Sequence, residues 1–153
     1  MIKINILAVG KLKEKYLRDA CEEYKKRLSA YAKVNIIEVN EFKSDDISLV
    51  LKKEGEALSA KIPKGSYVIP MCIEGTQLSS EEIAKKIESI SLENSEITFI
   101  IGGSNGIDNA VKALGDFKLS FGKITLPHQL MRVVLLEQIY RALSILNNSK
   151  YHK

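Results

Sequence analysis

The chain has 153 residues, enough for one domain with a proper core. Hydrophobic residues make up 45% and charged residues 27%, an ordinary globular balance, and the formal net charge of +4 suits a polyanionic partner without requiring one. Two cysteines exclude a disulfide framework, two histidines without paired Cys/His spacing argue against a metal site, and no apolar run reaches membrane-spanning length.

The opening Met1-Ile2-Lys3-Ile4-Asn5-Ile6 has a strand pattern rather than that of a signal peptide, so a cytoplasmic protein is expected. Residues 2 to 9 alternate apolar and polar and end at Gly10, a first strand. Tyr16, Leu17, Ala20, Cys21, Tyr24, Leu28 and Tyr31 recur at helical spacing over 13 to 31, with Lys13, Arg18, Glu22, Glu23, Lys25, Lys26 and Arg27 on the other face. Residues 34 to 39 read as a second strand. Ser44-Asp45-Asp46 can cap a helix running to about Ala60. Pro63-Lys64-Gly65 marks a turn before a third strand over 67 to 72, and Glu74-Gly75-Thr76-Gln77 reads as a loop. Ser79 and Glu82 have capping-box spacing, opening a helix to about Ile90. The continuous apolar run over 97 to 101 predicts a strand covered on both faces. A short helix over 108 to 114, a short strand near 118 to 121 and a long helix from about Pro127 complete the chain, with proline suited to the first helical turn. Alternating strands and helices imply one α/β domain, a mostly parallel sheet sandwiched by helices.

The last third carries the chemistry. Ile101-Gly102-Gly103-Ser104-Asn105-Gly106 follows a strand, so backbone can approach a ligand closely there. The spacing is neither the dinucleotide fingerprint nor a phosphate loop, which argues against a nucleotide hydrolase. Projected at about 100° per residue, the last helix is apolar around most of its circumference, with Glu137, Arg141, Ser144 and Asn148 as a narrow polar stripe. A peripheral helix of this kind needs cover on nearly all sides, so a second copy of the chain is expected against it. Arg132 falls among Leu136, Ile139 and Leu143, where a guanidinium needs an anion or carbonyls. An ion pair between subunits, a cap on helix carbonyls and contact with a substrate phosphate or carbonyl are all open. His128, at a helix start, reads as a structural donor or an exposed side chain. Tyr151 and His152 lie in a polar tail where a histidine can accept or relay a proton.

Phe99-Ile-Ile-Gly-Gly-Ser-Asn-Gly106, Thr125-Leu-Pro-His-Gln-Leu-Met-Arg132, Glu137-Gln-Ile-Tyr-Arg-Ala142 and Tyr151-His-Lys153 together resemble one family. It is the large-subunit ribosomal RNA methyltransferases that modify N3 of a pseudouridine, members of the SPOUT superfamily. The resemblance extends over the whole chain, through Ala8-Val9-Gly10, Lys53-Glu-Gly-Glu56 and Gly75 with Leu78-Ser-Ser-Glu81. It implies a SPOUT-like C-terminal trefoil knot, which general topology rules would never suggest. It also implies a homodimer, large-subunit ribosomal RNA as partner and S-adenosylmethionine as methyl donor. Met71, Gly102, Gly122, Lys123, Ile124, Thr125, Leu126 and Pro127 are the donor-binding positions it implies, with Arg132, Tyr151 and His152 as catalytic positions. Two departures stand out: Met71-Cys72 where the family often has Leu-Asp, and Lys150 where proline often precedes Tyr-His. A ribosome-associated RNA-binding module without catalysis is the alternative; calorimetry with S-adenosylmethionine separates the two.

Overall fold

Alternation along the first strand sets the layering. In β1 (Ile2–Val9), Ile4, Ile6 and Ala8 enter one core cluster, whereas Leu7 and Val9 enter a second cluster on the opposite face. The computed structural model describes residues 1–153. Four further strands, β2 (Ala32–Val39), β3 (Tyr67–Gln77), β4 (Glu96–Ile101) and β5 (Leu119–Ser120), join β1 in one sheet. Its order is β2-β1-β4-β3-β5, and every pairing is parallel. Parallel neighbours need crossover connections, which the helices supply.

The helices divide between the two faces. α1 (Lys15–Leu28), α3 (Ser80–Ser91) and α5 (His128–Leu146) cover the face with Ile4, Ile6, Ile97 and Phe99. α2 (Ile47–Lys61) and the single turn α4 (Asn109–Lys112) cover the face with Leu7, Val9 and Ile100. Asp46 caps α2 by accepting from the Leu49 amide at 3.3 Å. Ser79 and Glu82 form the expected capping box, at 3.1 and 2.8 Å. Two buried polar groups of the sheet, Asn5 and Thr98, are satisfied in a chain: Asn35 donates to Asn5, Asn5 to Thr98, and Thr98 to Ser66 just before β3.

Four expectations change. The segment over 74 to 77 is strand rather than loop: β3 continues past a register shift between Met71 and Thr76 to pair with β5. Thr76 donates its amide to the Lys118 carbonyl at 2.9 Å, so pairing overrides an unfavourable local composition. Pro127 is the cap before α5, with φ −54° and ψ 135°, rather than part of its first turn. Ser144 is fully buried, and Asn148 lies beyond the helix end with φ 56°, so the polar stripe reduces to Glu137 and Arg141. Finally, α1 and α3 both pack on α5, and together they bury Leu135, Leu136, Ile139, Ala142 and Leu143. The chain itself therefore covers more of this helix than its composition suggested. Leu130 remains exposed, and Val133 is half-buried.

Candidate functional site

A cavity of about 540 Å³ lies at the carboxyl ends of β4 and β5, against the middle of β3 where its register shifts. Ligands of open parallel sheets bind at this end of the strands. It is walled chiefly by the middle of β3, the glycine turn after β4 and the loop between β5 and α5, with Lys112 of α4 at the rim. The glycine turn is closed by the Gly106 amide donating to the Gly103 carbonyl at 3.0 Å. A side chain on Gly102 would run into the backbone of Gly106, so this position admits only glycine without rearrangement. Gly122 has φ +126° and open space where a side chain would stand, and its amide donates to Ser120 Oγ at 3.1 Å. These turns present bare backbone to the cavity.

Most of the expected donor-binding positions meet there. Met71, Gly102, Gly122, Ile124, Thr125, Leu126 and Pro127 all line the cavity. Lys123 does not; it is exposed in the same loop. Other lining residues were not singled out from sequence, among them Ile73, Glu74, Phe121 and Met131. Lys112 was also missed, because a four-residue helix gives too short a pattern to orient its side chains. Cys72 lines the same wall, and burial pushes its thiol above the usual range, so it stays uncharged at neutral pH.

His128 lines the cavity at the start of α5, with Nε2 3.9 Å from Glu41 Oε1 and without a hydrogen-bond partner. Behind the glycine turn Glu54 is 5% exposed. Its Oε2 accepts from the Phe42 amide at 3.1 Å, and burial raises its pKa.

Arg132 does not reach the cavity. It is 2% exposed, donates to Glu38 Oε2 at 2.5 Å and to the Gly10 carbonyl at 3.1 Å. The anion required by the sequence argument is thus Glu38 of the same chain, not a residue of another subunit. Nη1 and Nη2 each bond within the chain, Nε has no partner, and burial rather than a full set of bonds keeps the guanidinium from a ligand in this arrangement. Its position ties the ends of β1 and β2 beneath the first turn of α5.

Tyr151 and His152 form a separate cluster with Glu137 and Arg141. Tyr151 donates to Glu137 Oε2 at 2.7 Å, and its ring stands edge-on to Tyr140 with centroids 4.7 Å apart. Arg141 donates to both oxygens of Glu137 at 3.1 and 3.2 Å. Arg141 Nη1 and His152 Nδ1 are 3.1 Å apart, and His152 Nε2 lies 2.8 Å from Glu81 Oε1. A guanidinium only donates, so Nδ1 is the acceptor and Nε2 carries the hydrogen toward Glu81. The tail is therefore fixed by specific bonds. Glu137 is six residues along α5 from Met131, the nearest lining residue of that helix, about 9 Å at 1.5 Å per residue, and no residue of the tail cluster lines the cavity. Within one chain the cavity and the tail cluster are separate.

The parallel sheet, the helices on both faces and a glycine-walled cavity at the carboxyl strand ends define an α/β protein of the open parallel-sheet class. Residues 2–152 match the family described as predicted SPOUT methyltransferase, and the chain belongs to that family. It is 53% identical to a ribosomal RNA large subunit methyltransferase H of Shouchella clausii, over 99% of this chain and 100% of that one. It is 52% identical to the protein of the same name in Lactobacillus helveticus, with the same coverage. In fold it is similar to a probable methylase family protein from Haemophilus influenzae Rd KW20, with a TM-score of 0.58 and 15% identity, covering 98% of this chain and 70% of that one.

Proposed function

We propose that this chain, acting as one domain, transfers a methyl group from S-adenosylmethionine to large-subunit ribosomal RNA, at N3 of a pseudouridine. The observation that carries the reading is the cavity. Its volume of about 540 Å³ suits a nucleoside-sized ligand, and Gly102 and Gly122 offer it bare backbone. Full-length relatives at about half identity, whose names state ribosomal RNA large subunit methylation, support the acceptor class.

The donor supplies an electrophilic sulfonium methyl, and the protein supplies alignment and exclusion of water. Met71, Gly102 and the loop from Gly122 through Lys123, Ile124, Thr125 and Leu126 to Pro127 hold it. The imide at N3 carries a proton that must leave as nitrogen attacks. His152 accepts or relays that proton once its Nδ1 is released from Arg141. Tyr151 stacks on or bonds to the nucleotide. Arg132 acts from below, by holding the Gly10 end of β1 under the loop that precedes α5. Exposed lysines and arginines of α1 contact RNA phosphates without sequence preference.

The separation of cavity and tail within one chain favours a homodimer in which each tail completes the cavity of the other subunit. The C-terminal segment forms a trefoil knot around the donor loop, and the enzyme works in the cytoplasm on the ribosome.

The test is transfer of labelled methyl from S-adenosylmethionine to large subunits or ribosomes lacking the modification. Label in the large-subunit RNA that falls sharply with His152→Ala supports the reading. Absence of label with the wild-type chain overturns it, and a wild-type rate with His152→Ala removes the proton role.

A further inference from the structure

Two charged side chains of the cavity have no part in the reading above. Glu74 projects from the irregular end of β3, and Lys112 from α4, just after the glycine turn. The two form an ion pair across the cavity rim. They are the only lining residues with a formal charge besides the ionisable His128. The Lys112 side chain is 19% exposed and that of Glu74 57%, so the lysine stem is held while the carboxylate can turn. The Lys112 hydrogen bond keeps the Glu74 carboxyl below its usual range, so the carboxylate is charged at neutral pH.

Backbone packing fixes both positions. A side chain on Gly75, next to Glu74, would lie 2.9 Å from the backbone of Lys118 and Leu119, so this part of β3 is pressed against the lead-in to β5. Lys112 donates its amide to the Asp108 carbonyl at 3.1 Å and accepts from the Gly115 amide at 3.0 Å. The cavity is consequently asymmetric. The loop from Gly122 to Pro127 offers backbone and apolar surface, suited to a nucleoside. The wall between β3 and α4 offers one negative and one positive group side by side.

We propose that Glu74 and Lys112 form a subsite for a zwitterionic amino-acid group, the end of the methyl donor distant from its adenine; this rests on the donor reading above. Glu74 accepts from the α-ammonium, and Lys112 donates to the α-carboxylate. A partly exposed ion pair is weak and easily exchanged. Replacing it with two pairs leaves no charge without a partner when the ligand covers the rim, which is the condition for closing the cavity over charged groups.

The experiment compares S-adenosylhomocysteine, which has the amino-acid end, with 5′-methylthioadenosine, which lacks it. Affinities of both are measured by calorimetry for the full-length wild-type chain, Lys112→Met, Lys112→Arg and Glu74→Gln. The proposal expects Lys112→Met and Glu74→Gln each to weaken S-adenosylhomocysteine by about tenfold, leave methylthioadenosine within a factor of about two, and Lys112→Arg to retain most of the affinity. Equal losses for both ligands, or no loss for either, overturn the subsite while leaving the donor site in place. A wild-type chain that binds neither compound overturns the donor reading, and the subsite with it. Thermal melts of each variant separate lost binding from lost folding; should Lys112→Met be unfolded, Glu74→Gln decides alone.

Discussion

Tyr151 donates its hydroxyl to Glu137 Oε2 across 2.7 Å, joining the end of the chain to the middle of α5. The bond is one of several on Glu137, which also receives Arg141 and thereby positions His152. Burial, then the Glu137 bond, pushes the Tyr151 phenol up to about 12. A phenol raised above its unfolded value near 10 stabilises the fold fully below pH 10, and that contribution disappears as pH rises through 12. Ultraviolet titration should therefore show one tyrosine ionising well after the others. Tyr151→Phe should cost on the order of 1.5 kcal/mol in urea unfolding, for one bond to a charged acceptor. Its methylation rate should fall further than that loss of stability explains. Unchanged methylation would separate the tail from the chemistry.

Complementation tests whether the tail works across the dimer. Gly102→Ala abolishes the donor turn by collision with Gly106, and His152→Ala removes the tail imidazole. Each variant should be nearly inactive alone. Mixed after reversible dissociation, half the dimers are hybrid and each hybrid has one intact site, so about a quarter of the wild-type rate should return. A tail that served its own cavity would give no recovery.

The pair of Arg132 and Glu38 is unequally exposed, at 2% and 33% of the side chains. Removing Glu38 strands a buried guanidinium, whereas removing Arg132 leaves a carboxylate that water can reach. Glu38→Ala should cost on the order of 3–5 kcal/mol, and Arg132→Met clearly less because methionine keeps apolar volume. The double variant should regain part of the Glu38→Ala loss, a coupling that chemical denaturation of the four proteins measures. Independent, additive losses would show that the pair is not a unit.

The two cysteines should differ in reactivity. Cys21 is 2% exposed, and burial pushes its thiol to about 11, with Arg132 partly opposing. Cys72 is half-buried on the cavity wall. A disulfide reagent at pH 8 should label Cys72 first, and Cys21 only at the rate of unfolding. Bound S-adenosylhomocysteine should slow labelling of Cys72. A raised thiol also stabilises the fold below pH 9, its unfolded value, and that share is lost as pH climbs through 11.

Much of the fold was legible because the signals were periodic or positional. Alternation in Ile2–Val9, the unbroken run ending at Ile101 and the Ser79–Glu82 box each specify an element without help from elsewhere. The extension of β3 through Gln77 was not legible, because Glu74, Gly75 and Thr76 are held by the chain at Lys118 rather than by their own preferences. The cavity wall was legible through its glycines and the resemblance. Its charged rim was not: Glu74 and Lys112 lie 38 residues apart and meet only once β3 bends and α4 turns. Likewise the helical projection placed Arg132 among apolar residues and required an anion, but gave no sign that Glu38 would supply it.

The central claim concerns a single methyl group on large-subunit RNA. Mass spectrometry of nuclease fragments of that RNA, from cells with and without this chain, reads it directly. The account predicts one fragment lighter by one methyl in the cells lacking the chain, with the loss on N3 of a pseudouridine and restored by the wild-type protein but not by Gly102→Ala. Identical fragment masses in both cells would contradict it.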